Sequence, residues 1–174
     1  MSAALQPVAK SRAVSIEEVQ QFLYCEARAL DDRDWDAWLA CYAPQATFHM
    51  PAWDDDDQLT EDPQTEISLI YYGSKQGLED RVFRIRTERS SATSLPEPRT
   101  SHNISNVEIV SQDGGVLKVR FNWFNLSYRY KTTDSYFGAS HYTIDASGPA
   151  LLITAKKVVL KNDYIHHVVD IYHI

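Results

Sequence analysis

HNISNVEIVSQDGGVLKVRFNWFNLSYRY, residues 102–130, reads as two long β-strands folded about one tight turn. Gln112-Asp113-Gly114-Gly115 carries the hairpin signal: a two-residue turn that matches strand twist needs positive φ, which glycine adopts without steric cost. His102–Val110 leads into that turn and Val116–Tyr130 leaves it. In the second strand Leu117, Val119, Phe121 and Trp123 share one face, while Lys118, Arg120 and Asn122 share the other. Downstream, Lys131-Thr132-Thr133-Asp134 reads as a turn before a strand over Ser135–Asp145. Ser147-Gly148-Pro149 reads as another before Leu151–Lys161.

Upstream of Pro96 and Pro98 the pattern is helical. Ser15-Ile16-Glu17-Glu18 forms a capping box, with Val14 and Val19 placed to make a hydrophobic staple. Val19, Phe22, Leu23, Ala27 and Leu30 then recur at helical spacing. Asp34 caps a second, short helix carrying Trp35, Trp38, Leu39 and Tyr42, and Pro44 stops it. Ala46–Met50 and Ile67–Tyr72 read as strands, and Lys75–Arg86 as a helix. Asp54–Asp57 must be an exposed loop, since four adjacent carboxylates repel one another and cannot be buried without cations. It lacks the glycine and distal glutamate of a calcium loop. Early helices followed by a meander of strands imply an α+β fold: one strongly curved, mostly antiparallel sheet packed against N-terminal helices. Residues 15–174 form a single domain, preceded by a flexible segment over 1–14.

A chain of 174 residues is long enough to bury roughly 70% of its unfolded surface. Ten Tyr, six Phe and four Trp supply both core and interface material. Trp35, Trp38 and Trp53 are expected in the core. Charge is uneven: the net of −7 divides into −10 over residues 1–66 and +3 over the rest. That balance excludes nucleic-acid binding, which needs a basic stripe. No apolar run approaches 18 residues, so no membrane span is expected. Nor does the N-terminus carry a hydrophobic signal core. Cys25 and Cys41 lack paired spacing and read as buried free thiols of a reducing cytoplasm.

The segment GLEDRVFRIRTERSSATSLPEPRTSHN (77–103) interleaves Arg81, Arg84, Arg86, Arg89 and Arg99 with Glu79, Asp80 and Glu88. Such mosaics tie surfaces together through bidentate pairs, so these five arginines are the candidate subunit-interface residues. This segment resembles the small (β) subunit of ring-hydroxylating dioxygenases, in particular the benzoate, toluate, halobenzoate and anthranilate group. So do LDDRDWDAWLACYAP (30–44), MPAWDDDD (50–57), EDPQTEISLIYYGS (61–74), RFNWFNLSYRYKTTDSYFG (120–138), KKVVLKNDY (156–164) and the final DIYHI. The resemblance implies the cone-like fold of nuclear transport factor 2 and ketosteroid isomerase. It also implies a structural β subunit in an α3β3 hexamer. The larger α subunit would hold a Rieske 2Fe–2S cluster and a mononuclear non-haem iron, and a separate reductase would bring electrons from NADH. The β subunits would form a trimer, and the assembled enzyme would convert a benzoate and O2 to a cis-dihydrodiol carboxylate in aromatic catabolism.

The residues themselves offer no catalytic, cofactor or metal site. A Rieske cluster needs two Cys and two His, and neither cysteine has a histidine two or three residues away. His166 and His167 point to opposite faces of an extended tail, and Asp163, His167, Asp170 and His173 form a conceivable but unfavoured ligand set, since tail histidines and acids are more often solvated or interface groups. The fold resemblance raises two rivals: a free-standing isomerase or dehydratase, with Asp31, His49, His102 and Tyr142 lining an apolar pocket, and a small-ligand-binding module.

Overall fold

The computed structural model describes residues 13–87 and 96–174. Its elements are α1 (Ile16–Asp31), α2 (Trp35–Ala40), β1 (Tyr42–Pro51), β2 (Ser68–Tyr72), α3 (Lys75–Arg86), β3 (Arg99–Asp113), β4 (Val116–Arg129), β5 (Thr132–Asp145) and β6 (Leu152–Leu160). A 3-10 turn over Ile171–His173 follows. The strands form one sheet in the order β2-β1-β6-β5-β4-β3, with every pairing antiparallel except β1 with β6. This is the expected α+β architecture, with the helices and the 170–174 segment closing one face of a bent sheet.

The starts of α1 and α2 follow from their caps. Ser15 accepts from the Glu18 amide, the Glu18 carboxylate accepts from the Ser15 amide, and Val14 and Val19 are both buried. The packed region therefore includes Val14, which the sequence places in the flexible segment, whereas residues 1–12 lie outside the described residues. Asp34 accepts from the Ala37 amide to open α2. Pro44 does not stop that helix. It lies within β1, which begins at Tyr42, and α2 ends at Ala40 because the chain turns there into the parallel pairing with β6.

Two tight turns set the meander. Gly114 and Gly115 have φ of 56° and 84°, the geometry the hairpin signal calls for. The next turn differs from expectation. It comprises Tyr130 and Lys131, at φ 51° and 65°, so β5 begins at Thr132 rather than Ser135. Two non-glycine residues in the left-handed region carry strain, and stacking of the Arg129 guanidinium 4.7 Å from the Tyr130 ring centroid partly offsets it. Asn106, at φ 52°, sits where the β3–β4 register shifts between Ser105 and Glu108, bending the outermost strand.

The core lies between the helices and the inward sheet face. Leu117, Val119, Phe121 and Trp123 are all buried, joined by Trp35, Trp38, Phe48, Met50, Leu78, Val82 and Ile85. Trp53 is not core. It is 45% exposed, and its indole N–H donates to the Leu160 carbonyl at 2.7 Å, because β1 has by then passed beyond the helix layer. Cys25 is likewise exposed on α1 and Cys41 only half-buried, though both are free. Gly138 on β5 faces Trp123 on β4, and a Cβ there would lie 2.0 Å from the Val159 carbonyl and 2.8 Å from the Trp123 ring. Substitution Gly138→Ala should therefore destabilise the fold by about 1–3 kcal/mol or more, read as a lowered denaturation midpoint at unchanged m-value. An unchanged midpoint would mean the β5–β6 pairing yields more readily than this contact allows.

Candidate functional site

The interior and the outer sheet face are distinct chemical environments. Inside, Glu26 sits on the apolar stripe of α1 with both carboxylate oxygens engaged. Tyr42 and Tyr142 donate at 2.6 and 2.8 Å, Lys156 at 2.9 Å, and the Trp38 indole at 3.3 Å. Burial acts to raise the Glu26 carboxyl, but the Lys156 charge and the three side-chain bonds from Tyr42, Lys156 and Tyr142 outweigh it, and the group stays ionised below its ordinary value. Burial and that same carboxylate push both tyrosines well above their ordinary range. The Lys156 ammonium also lies 5.2 and 5.1 Å from the Phe48 and Tyr142 ring centroids.

Beside this cluster, the last residue of α1, Asp31, accepts from His102 Nδ1 at 2.6 Å, from the His102 amide at 3.0 Å and from the Thr100 hydroxyl at 2.9 Å. Burial opposes ionisation of Asp31, while the His102 bonds and charge and the Thr100 bond hold its carboxyl below the usual range. Of the four residues proposed for an apolar pocket, His102 and Tyr142 border one small cavity, and Asp31 orients the His102 ring. His49 does not join them. It lies on the outer face, 3.0 Å from the Ser68 hydroxyl and edge-on to Tyr71. The cavity holds about 20 Å³, room for about one water molecule and not for an aromatic ring.

The 170–174 segment floors this interior. Arg81 of α3 holds Asp170 through Nε at 2.8 Å and through a second, Nη2 contact, and Asp170 caps the 3-10 turn. His173 stacks on Tyr136, its Nδ1 accepts from the Asp170 amide at 3.0 Å, and burial pushes it down to about 3. Asp170 is thus engaged with both Arg81 and His173, and the two do not converge with Asp163 and His167 on a shared point. Among the described residues no three of His, Cys, Asp and Glu gather as a ligand set. The cysteines do not suit an iron–sulfur cluster either: burial and the Glu26 charge raise the Cys41 thiol to about 12, and Cys25 Sγ accepts from Arg28 within α1.

The outer face presents a row that crosses all six strands. Tyr71, His49, Lys157, His141, Arg120 and Glu108 are successive partners from β2 to β3. Burial, and then the neighbouring Lys157 and Arg120 charges, hold His141 below its ordinary value; burial and Lys157 do the same for His49. Next to this row Phe124 and Phe137 face each other across β4 and β5, 46% and 45% exposed. Cations beside exposed aromatics are the composition of a contact surface.

The five arginines separate. Arg81 is committed to Asp170 in the same chain. Arg86 pairs with Asp36 at 2.9 Å on the surface. Arg84 and Arg99 are exposed, and Arg89 lies outside the described residues. Sequence reasoning missed Glu26 and Lys156, although both signals were present. Glu26 falls on the stripe Val19, Leu23, Ala27, Leu30, and Lys156 shares inward parity with Val158 and Leu160.

Comparison with known proteins places these features in a family. A model of the ring hydroxylating beta subunit matches residues 25–167. The benzoate 1,2-dioxygenase subunit beta of Acinetobacter baylyi is 68% identical, over 92% of this chain and 95% of that protein. The toluate 1,2-dioxygenase subunit beta of Pseudomonas putida is 64% identical, over 92% and 99%. The crystal structure of the benzoate 1,2-dioxygenase beta subunit from Burkholderia mallei superposes with a TM-score of 0.80 at 59% identity, covering 94% of this chain and 99% of that one.

Two measurements check the interior. Lys156→Met leaves Glu26 buried with its charge uncompensated and should cost about 3–5 kcal/mol, whereas Lys156→Met combined with Glu26→Gln should recover much of that loss. Additive losses in the double variant would show that the two groups do not act as a pair. His173, depressed from 6.5 to about 3, stays neutral in the folded chain while the unfolded chain takes up a proton below pH 6.5. Its contribution is full above pH 6.5 and is lost as pH falls toward 3, by up to about 1.4 kcal/mol per pH unit. Denaturation midpoints from pH 7 to 5 should therefore slope downward, and His173→Asn should flatten the slope.

Proposed function

The chain belongs to the ring hydroxylating beta subunit family, and on that premise we propose that it is the structural β subunit of a benzoate-type 1,2-dioxygenase. The observation that carries this reading is the 68% identity to a benzoate 1,2-dioxygenase β subunit across nearly the whole of both chains. The chain acts as a component of an NADH-dependent oxidoreductase in the cytoplasm. It associates with a larger α subunit and with two further copies of itself in an α3β3 hexamer. The Rieske cluster and the mononuclear iron belong to α, and a reductase delivers electrons to the complex. The assembly adds both atoms of O2 to the ring of benzoate or a substituted benzoate, giving a cis-dihydrodiol carboxylate.

The geometry supports a scaffold. The inward carboxylates, Glu26 and Asp31, have their donors inside the fold, and the cavity beside them lacks room for a ring substrate. What the surface offers is the row from His49 to Arg120, the Phe124–Phe137 pair, and the exposed Arg84 and Arg99. We assign the contacts with other subunits to these groups, with Arg86 and Arg89 as neighbours on the same arginine segment. Arg81 contributes indirectly, by holding the 170–174 segment.

Co-expression with the larger subunit tests this. The two chains should co-purify as a hexamer, and aromatic-acid turnover should need both. Arg84→Ala, Arg99→Ala and Lys157→Glu should leave the isolated chain folded. At least one should weaken assembly by about 3–5 kcal/mol, the cost of stranding a desolvated partner, against under about 1 kcal/mol for an exposed pair. Michaelis constants of the surviving hexamer should not change. Arg81→Ala should instead lower the stability of the chain itself. Normal assembly by every variant together with altered substrate preference would place these residues at an active site and overturn the scaffold reading.

A further inference from the structure

Two polar atoms deep in the cone lack a partner. His102 Nε2 and Trp123 Nε1 are fully out of solvent and make no hydrogen bond with the described residues. The His102 side chain is 5% exposed. Both residues border the same cavity of about 20 Å³. The register explains why they meet. His102 pairs with Asn125 and Ile104 with Trp123, so His102 and Trp123 are diagonal neighbours on the inward face of β3 and β4. Such diagonals lie about 7–8 Å apart at Cα, within mutual reach of aromatic and other long side chains. An unmade bond at a buried donor or acceptor is costly, so two at one cavity point to a ligand and not to chance packing.

The donor set specifies its chemistry. The Trp123 indole N–H can only donate, so the ligand must accept. His102 is oriented through Nδ1 by Asp31, and its Nε2 presents a lone pair in the neutral imidazole or an N–H in the imidazolium. A hydroxyl serves Trp123 and either form of His102. A carbonyl cannot donate to the neutral form, and a carboxylate would place a second charge near Asp31 and Glu26. Ile174 borders the same cavity and limits its size.

We propose that the cone contains a single-hydroxyl site: His102 Nε2 and Trp123 Nε1 together bind one hydroxyl group, which is water while Ile174 is in place and a phenolic hydroxyl once that side chain is cut back.

The intact chain provides the first test. A high-resolution crystal structure should show ordered water within hydrogen-bond distance of both atoms, and an empty cavity would overturn the proposal. The second test uses Ile174→Ala, which removes three side-chain carbons from the cavity wall and so enlarges the space beside His102 and Trp123. Titration followed by the Trp123 indole N–H resonance should show phenol binding about tenfold or more tightly than toluene, the gain expected from satisfying two buried groups. Adding His102→Phe should abolish that preference. Equal affinity for phenol and toluene in folded Ile174→Ala would overturn the proposal, as would no phenol binding at all. If Ile174→Ala fails to fold, the water position in the intact chain decides.

Discussion

The buried Glu26–Lys156 pair is the constraint on which the rest of this fold depends. Its four donors come from α2 (Trp38), β1 (Tyr42), β5 (Tyr142) and β6 (Lys156), and its acceptor from α1. A buried carboxylate and ammonium cost several kcal/mol each to desolvate, and that cost is offset only when each remaining lone pair and proton finds a partner. The arrangement therefore tolerates little displacement of any of the five elements. It also fixes which residue of α1 faces the sheet. A helix rotated by one residue would carry Glu26 out of reach of Lys156 and Asp31 away from His102 at once.

The same constraint limits the chemistry open to the residues around it. A cone-shaped domain can run acid–base chemistry only if a carboxylate or imidazole is free to exchange a proton with a ligand in a roomy cavity. Here the carboxylates are held ionised by partners within the chain and the tyrosines are held protonated by burial. Beside Glu26 and His102 the volume that a ring would need is taken up by Phe121, Trp123 and Ile174. Chemical character left over for recognition lies on the convex sheet face, in cations flanking exposed aromatics. The outermost strand β3, fifteen residues long, adds an edge that bulges near Asn106 and Val110 keep from being flat.

Elements whose formation depends on local chemistry were legible in the sequence. The Ser15–Glu18 capping box, the Asp34 cap, the Gly114-Gly115 hairpin and the alternation from Leu117 to Trp123 each state a conformation within a few residues, and α3 follows the expected span. What was not legible depends on partners distant in the chain. Pro44 reads as a helix stop, yet it lies in a strand because β6, more than a hundred residues later, pairs beside it. Trp53 reads as core by type and is carried past the helix layer by β1. Tyr130-Lys131 lacks a turn signature because neither residue favours positive φ; the long strands on either side impose it. For the site, residue type and the fold resemblance identified His102, Asp31 and Tyr142 but also His49, whose side chain points the other way by strand parity.

The arginine segment shows how one helix can serve fold and surface together. In α3 the buried residues are Leu78, Val82 and Ile85, and Arg81 flanks that stripe while Arg84 lies well round the helix from it. Arg81 therefore reaches inward to Asp170 and holds the segment that carries His173 and Ile174 beneath the sheet. Arg84, only three residues on, has its guanidinium on the exposed side. A mosaic of arginines and acids is consequently not one site but two. The member nearest the apolar stripe closes the chain on itself, and the described members turned from it stay on the surface. Sequence composition treats these arginines alike, and only their angle about the helix axis separates them.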